Sequence, residues 1–247
     1  MLRKTPLLSG EAYHIYNRGA HKVPTFTDKS DYWRFLVLLH LSNHSKPVLL
    51  RDILERKRYR GRFSGEIFEE PADKSLVDLL AYSLMPNHFH LVIRQKTADG
   101  ITKFMKKVMV AYSMYFNTKY GHSGVLFQGR FKSSHLATDP YFKWIFAYVH
   151  LNPVAISEPG WEGKGIANPG AVKEFLRHYP YSSYRDYYTG ERPERAILAH
   201  NEMVGLLDKE SDLQDMLAEY RNGKILYEQG AVEKGENEEK PVLQSAA

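Results

Sequence analysis

Leu79-Leu80-Ala81-Tyr82-Ser83-Leu84-Met85-Pro86-Asn87-His88-Phe89-His90-Leu91-Val92-Ile93-Arg94 is the stretch from which the rest of the chain can be read. Two apolar runs flank Met85-Pro86-Asn87; proline cannot donate to a strand ladder, and Pro-Asn favours a turn. The stretch therefore predicts a central β-hairpin. In its second strand, alternation sends His88 and His90 to one face and Phe89 to the other, into a core. Two neutral imidazoles leaving a strand on the same side suit adjacent positions on one divalent ion. The spacing equally suits structural or solvent-facing histidines, so the remaining ligands must come from elsewhere.

Upstream, Glu11 to Arg18 alternates as a strand should, with Tyr13, Ile15 and Asn17 on one face and His14, Tyr16 and Arg18 on the other. Gly19 closes it. Asp28 and Ser30 offer capping oxygens to a helix carrying Tyr32, Phe35, Leu36 and Leu39, ending about Asn43. Arg51 to Glu70 is dense in charge without period and reads as a loop or extension. Downstream, Phe104, Met105, Val108, Met109, Tyr112, Tyr115 and Phe116 recur at helical spacing, while Lys103, Lys106 and Lys107 fall elsewhere on the wheel. Tyr112 and Tyr115 read as core residues of that helix.

Leu126 to Ala137 has strand character around Gln128-Gly129-Arg130-Phe131-Lys132. Asp139-Pro140 then reads as an N-cap followed by proline at the first helical position, opening a helix that runs to about Asn152, before Pro153. Strand, helix, hairpin, helix, strand, helix is an α+β pattern, and the expected architecture is ferredoxin-like, a mainly antiparallel sheet with helices packed on one face. Glu194–Leu207 and Asp212–Tyr220 read as two further helices, and Gln229 onward as a disordered tail. The expected organisation is a catalytic domain over 1–185, a helical extension over 186–228 and the tail over 229–247.

Tyr148 and Asn152 are four apart on the predicted helix, so a hydroxyl and an amide oxygen leave the same side. Asn152 is suited to complete a His-His-Asn site whose hard oxygen and open positions accept Mg²⁺ or Mn²⁺ together with a phosphate oxygen. Tyr148 would then face that phosphate. A core tyrosine beside a helix-terminating asparagine has the same spacing.

Composition narrows the chemistry. The 247 residues include no cysteine, which excludes disulfides, thiolate-held zinc, iron–sulfur clusters and cysteine nucleophiles. The formal charge of +5 understates the basic character, since the tail carries four glutamates against two lysines and its removal leaves +7. A basic chain with 13% aromatic residues suits a partner bearing phosphates and stackable bases. Neither a signal core nor a membrane-length apolar run is legible, so a soluble cytoplasmic protein without a membrane partner is expected.

The assembled pieces resemble the HUH single-tyrosine transposases, and more narrowly the REP-associated tyrosine transposases. The resemblance spans about Tyr13 to Tyr184. Tyr13-His14-Ile15-Tyr16-Asn17-Arg18-Gly19 is similar to the family's opening strand, and Met85-Pro86-Asn87-His88-Phe89-His90-Leu91-Val92-Ile93 to its metal-binding strand. Leu126-Phe127-Gln128-Gly129-Arg130-Phe131-Lys132 resembles the segment before the catalytic helix, Tyr148-Val149-His150-Leu151-Asn152-Pro153-Val154 the nucleophile helix, and Tyr179-Pro180-Tyr181-Ser182-Ser183-Tyr184 a later motif.

The resemblance implies that a tyrosine attacks a single-stranded DNA phosphodiester, giving a 5′-phosphotyrosine link and a free 3′-hydroxyl that can later reverse it. Carried onto this chain, Tyr148 is the nucleophile, His88 and His90 are metal ligands, and Asn152 is the third ligand where relatives often carry the longer glutamine. The expected cofactor is Mg²⁺ or Mn²⁺. The expected partner is single-stranded or hairpin DNA of mobile or repeated elements, with a homodimer as a further option. Lys103, Lys106, Lys107, Arg130 and Lys132 are the expected phosphate contacts. Two other readings stay open: a domesticated hairpin-binding protein that no longer cuts, and a metal-dependent hydrolase in which water replaces Tyr148.

Overall fold

The computed structural model describes residues 6–45, 65–69, 75–203 and 213–228. Four strands, β1 (Ala12–Arg18), β2 (Val77–Met85), β3 (His88–Gln95) and β4 (Lys132–His135), form one sheet in the order β2-β3-β1-β4. Every neighbouring pair is antiparallel. Helix α1 (Lys29–Leu41) joins β1 to β2, and α2 (Gly100–Tyr120) joins β3 to β4, which gives the βαββαβ order of a ferredoxin-like α+β fold.

The hairpin turns where the sequence places it. Met85 pairs with His88, leaving Pro86 and Asn87 as the turn. Their carbonyls hold the chain after β1, the Pro86 carbonyl accepting from the Thr25 and Phe26 amides and that of Asn87 from the Gly19 amide. Helix α1 begins with a reciprocal capping box in which the Asp28 carboxylate accepts from the Asp31 amide and Asp31 from that of Asp28. Phe35 and Leu39 of α1 and Phe104, Val108 and Tyr112 of α2 pack with Ile15, Phe89, Leu91 and Ile93 in one apolar cluster. Complete burial of each such side chain contributes roughly 1.5–3 kcal/mol.

Helix α3 (Asp139–Leu151) covers the other face. Its Ile145, Tyr148 and Val149 form a second cluster with Leu80, Ala81 and Val92 of the sheet and with Met216, Leu217 and Tyr220 of α8 (Leu213–Glu228). The expectation of helices on one face therefore holds for the two crossover helices and is corrected for the rest. A bulge in β2 between Leu79 and Ala81 shifts the register, so Leu79 serves the first cluster while Leu80 and Ala81 serve the second. Both faces thus carry apolar residues, and both need cover.

Other boundaries differ for local reasons. The cap of α3 is Thr138, whose side chain accepts from the Tyr141 amide; Asp139 and Pro140 are the first two helical positions. β4 is confined to Lys132–His135 because Gly129 is left-handed (φ +72°), and only the Gly19–Phe127 bridge extends the pairing upstream. Short helices α4 (Val154–Ser157), α5 (Trp161–Lys164), α6 (Pro169–His178) and α7 (Tyr184–Tyr188) follow α3, outside the elements expected from the sequence. In place of a helix over Glu194–Leu207 there are two 3₁₀ turns, Pro193–Ile197 and His200–Met203, separated by extended Leu198, and the Ala199 amide donates to Leu79 of β2; residues 204–207 lie outside the described residues. Within the expected loop over Arg51–Glu70, residues 65–69 form a 3₁₀ turn that buries Ile67 and Phe68. The rest of that loop and the tail over 229–247 lie outside the described residues.

Candidate active site

The sheet face beneath α3 bears histidines. His14 and Tyr16 leave β1 on this side, and His88 and His90 leave β3; Tyr16 and His90 are directly opposed in the register. The His14 and His90 rings lie 5.1 Å apart between centroids, with His14 Nε2 2.9 Å from His90 Nδ1. Tyr148 reaches the group from α3, its ring edge-on to His90 at 5.2 Å and to His14 at 6.0 Å. One helical turn further on, Asn152 places Oδ1 3.2 Å from His88 Nε2. The pattern of alternating strand positions and an i, i+4 helical pair thus brings His88, His90, Tyr148 and Asn152 into the wall of one cleft of about 820 Å³.

Burial holds the imidazoles neutral. It lowers the pKa of His14 to about 3 and that of His88 to about 4, the latter opposed by the bond to Asn152 and assisted by Arg18. His90 lies well below the ordinary histidine value, through burial first and then the neighbouring His88 and His14. Neutral rings keep a lone pair for a cation. Burial raises the Tyr148 phenol well above its ordinary value, and the Glu162 carboxylate adds to the rise. Tyr148 is only 4% exposed because Tyr220 of α8 stacks beside it at 6.5 Å and 18°. The Glu162 carboxyl is itself raised by burial, against the pull of Lys224.

The donors suit a hard divalent ion. His88 presents Nδ1 to Asn87 Oδ1 at 2.6 Å and Nε2 to Asn152 Oδ1 at 3.2 Å, so both ring nitrogens of a neutral imidazole face amide oxygens. One ring N–H satisfies only one of them; a cation shared between Nε2 and Oδ1 resolves the other. No group of three or more His, Cys, Asp or Glu side chains able to hold a metal occurs among the described residues.

The expected phosphate contacts are divided by the sheet. Lys132 lines the cleft. Arg130 is exposed on the preceding segment and does not line it. Lys103, Lys106 and Lys107 ride on α2, which packs on the opposite face; Lys103 donates to the Ala98 carbonyl and Lys107 to that of His44. The sequence reading did not single out Glu162, Lys164 and Lys224, which also line the cleft. Glu162 and Lys164 sit on the four-residue helix α5, too short to show a period, and Lys224 lies on α8 beyond the Asp212–Tyr220 span expected as a helix. His14 and Arg18 were recoverable, since the alternation of β1 puts them opposite its core face.

A ferredoxin-like sheet thus sets its His-x-His strand against a tyrosine-bearing helix, and the family comparison places this arrangement. Residues 15–152 match the model of the IS200-like transposases, and the chain belongs to that family. Among solved structures it is similar to a REP-associated tyrosine transposase bound to a REP hairpin, with 13% identity, a TM-score of 0.43, and coverage of 75% of this chain and 83% of that one. No curated protein sequence matches. No helix among the described residues is long and apolar enough to cross a membrane.

Proposed function

We propose that this transposase cuts and rejoins single-stranded, hairpin-bearing DNA of mobile or repeated elements through Tyr148, with His88, His90 and Asn152 holding Mg²⁺ or Mn²⁺. The observation that carries the reading is the convergence of Tyr148 with both imidazoles and the Asn152 amide in one cleft. Tyr148 Oη attacks phosphorus, the bond from phosphorus to the 3′-oxygen breaks, and the DNA is left with a 5′-phosphotyrosine and a free 3′-hydroxyl. Burial keeps the phenol protonated at neutral pH, so its proton leaves during the attack while the departing 3′-oxygen takes one up to become the free hydroxyl. A divalent ion at this site supplies charge neutralisation and alignment of the phosphate. Asn87 and His14 orient the two imidazoles through their Nδ1 atoms.

In this reading residues 1–185 form the catalytic unit and 186–228 a helical extension, whose α8 packs on α3 beside the tyrosine. All four proposed residues come from one chain, so the cleft needs no second copy. A binding protein without cleavage is a second reading, favoured by the near-complete burial of the Tyr148 ring. Incubation with labelled hairpin DNA and Mn²⁺, followed by a denaturing gel, separates the two. Cleavage leaves a covalent protein–DNA band that vanishes in Tyr148→Phe and persists in Tyr112→Phe and Tyr115→Phe, whose rings belong to α2. A folded wild type that binds the hairpin, forms no band and leaves the DNA uncut leaves only the binding reading, whereas cut DNA without a band assigns hydrolysis by water. A band surviving in Tyr148→Phe assigns the wrong tyrosine.

A further inference from the structure

Among the described residues that line the cleft, Arg18, Lys22, Lys132, Lys164 and Lys224 are cationic, and Glu162 alone is acidic. A carboxylate among cations weakens the attraction for a polyanion, so affinity for DNA does not account for it. We propose that Glu162 is the proton acceptor for the Tyr148 phenol, directly or through one water, as that phenol attacks phosphorus. The inference rests on the reading of Tyr148 as the nucleophile, and it supplies the base which that reading lacks.

Two helices place the carboxylate. Tyr220 and Lys224 are one turn apart on α8, and the Tyr220 ring neighbours both Tyr148, at 6.5 Å between centroids, and Trp161 of α5, at 5.1 Å. Lys224 donates to the Glu162 carbonyl at 3.5 Å. Trp161 is thus packed into the α3 cluster, and Glu162, next along, lines the cleft. The chain around α5 is closed by Glu158, whose carboxylate accepts from the Ala167 amide at 2.8 Å and the Asn168 amide at 3.0 Å. After burial itself, Glu162 is the largest influence on the Tyr148 phenol, ahead of Tyr220 and Tyr16, as a charge close by must be.

The other groups around Tyr148 are committed elsewhere. His88 and His90 keep a lone pair for the ion, and when His90 Nδ1–H donates to His14 Nε2 the single lone pair of that neutral ring is engaged. The Asn152 amide is not a base, and Tyr16 and Tyr220 are phenols themselves. Burial raises the Glu162 carboxyl, and a general base serves best with a pKa nearer the working pH; Lys224 opposes the rise and favours the ionised form. In the step, the bond from Oη to phosphorus forms and the phenol proton moves to the Glu162 carboxylate, as the bond from phosphorus to the 3′-oxygen breaks. The 3′-oxygen takes a proton from solvent and Glu162 later releases one to solvent, so the protons balance. For reversal of the link the same carboxyl, protonated, returns a proton to the phenol.

Single-turnover formation of the covalent band is followed at saturating hairpin DNA and Mn²⁺, with hairpin affinity and thermal melting read on the same proteins. Glu162→Gln keeps the shape of the side chain and removes the base. Expected is a band that forms about 100-fold more slowly, the low end for loss of a general base, on a folded protein that binds the hairpin as tightly as the wild type or more tightly. Glu162→Ala opens space where the carboxylate stood, and sodium acetate should raise its rate in proportion to concentration, whereas sodium chloride of equal ionic strength should not. That comparison is made within one protein, so a change in stability does not mimic it. A wild-type rate in Glu162→Gln, or a slowed Glu162→Ala that acetate does not rescue, overturns the assignment, because a free base cannot replace a side chain that only shapes the cleft. Absence of a band from the folded wild type overturns the Tyr148 reading itself, and Glu162 as its base falls with it.

Discussion

The two faces of the sheet are built from the same strands and obey different rules. On β3, Phe89, Leu91 and Ile93 enter the closed apolar cluster beneath α1 and α2, while His88 and His90, one residue out of phase, face α3. On β1, Tyr13 and Ile15 do the first job and His14 and Tyr16 the second. The first face is mostly apolar, and the phenols it buries have partners at its rim, Tyr112 donating to the Thr25 carbonyl and Tyr13 to that of Pro6. The second buries imidazoles, a phenol and an amide, each of which costs stability unless its polar atoms are matched. Side chains 3–4 Å apart along one strand should therefore fail in opposite ways when changed.

The largest contrast is between neighbours on β3. His90→Ala should abolish the covalent DNA band while thermal melting shows a folded protein, because what is lost is a proposed metal ligand. Phe89→Ala should cost about 3–5 kcal/mol of unfolding free energy, as large core truncations do, and should reduce cleavage only as far as it reduces the folded fraction. Denaturant unfolding and the gel, run on both variants, check this. A folded, fully active His90→Ala would remove the metal site. Next in size is His14, which touches His90 without being a proposed ligand. His14→Leu should weaken Mn²⁺ binding by about 10–100-fold, the usual consequence of losing a partner that orients a metal-binding histidine. Titration calorimetry reads it directly, and unchanged affinity would make His14 a packing residue.

How far the sequence is legible follows the same division. β1, the β2–β3 hairpin, α1 and α2 show in the period because each has one face against an apolar cluster and the other against something different in kind. His88, His90, Tyr148 and Asn152 were legible because spacings of two and four translate directly into shared faces. The second wall of the cleft was not. α5 is four residues long, too short to show a period, so nothing in Gly160-Trp161-Glu162-Gly163-Lys164 announces a site. Placement of α3 on the far face depends on the bulge in β2, which period-2 reading cannot detect inside a continuous apolar run.

A smaller effect separates a buried histidine of structure from those of the site. His150 lies wholly within the α3 cluster, with Nε2 2.7 Å from Ser183 Oγ, and burial lowers its pKa to about 3. The unfolded chain takes up this proton near pH 6.5 and the folded chain does not until about 3. Its contribution is therefore complete above about pH 6.5 and is lost progressively as the pH falls toward 3, by at most roughly 1.4 kcal/mol per pH unit. His150→Gln, which keeps an amide able to meet Ser183, should flatten the fall of unfolding free energy between pH 6 and about 4. Mn²⁺ should leave that difference unchanged, because His150 is outside the proposed donor set. An unaltered acid slope in the variant would show that other groups carry it.

The smallest expected effect concerns the lysines of α2, and it tests whether the sheet divides DNA contacts as it divides packing. Lys103, Lys106 and Lys107 lie on the face opposite the cleft, and two of them already donate to backbone carbonyls. Any phosphate they meet belongs to DNA outside the cleft, such as a hairpin stem. Each contact that does form would release counterions, with a slope near 0.9 per phosphate on duplex and 0.7 on a single strand. Replacing all three by alanine should therefore weaken hairpin binding modestly at low salt, lower the salt slope by about one contact, and leave cleavage at saturating DNA unchanged. Lys132→Ala, which removes a cation from the cleft itself, should lower cleavage at saturation as well. Affinity measured from about 50 to 200 mM salt, with single-turnover cleavage alongside, separates the two. If the α2 variant loses cleavage at saturation while Lys132→Ala keeps it, the cut strand approaches from the α2 face and the division proposed here is wrong.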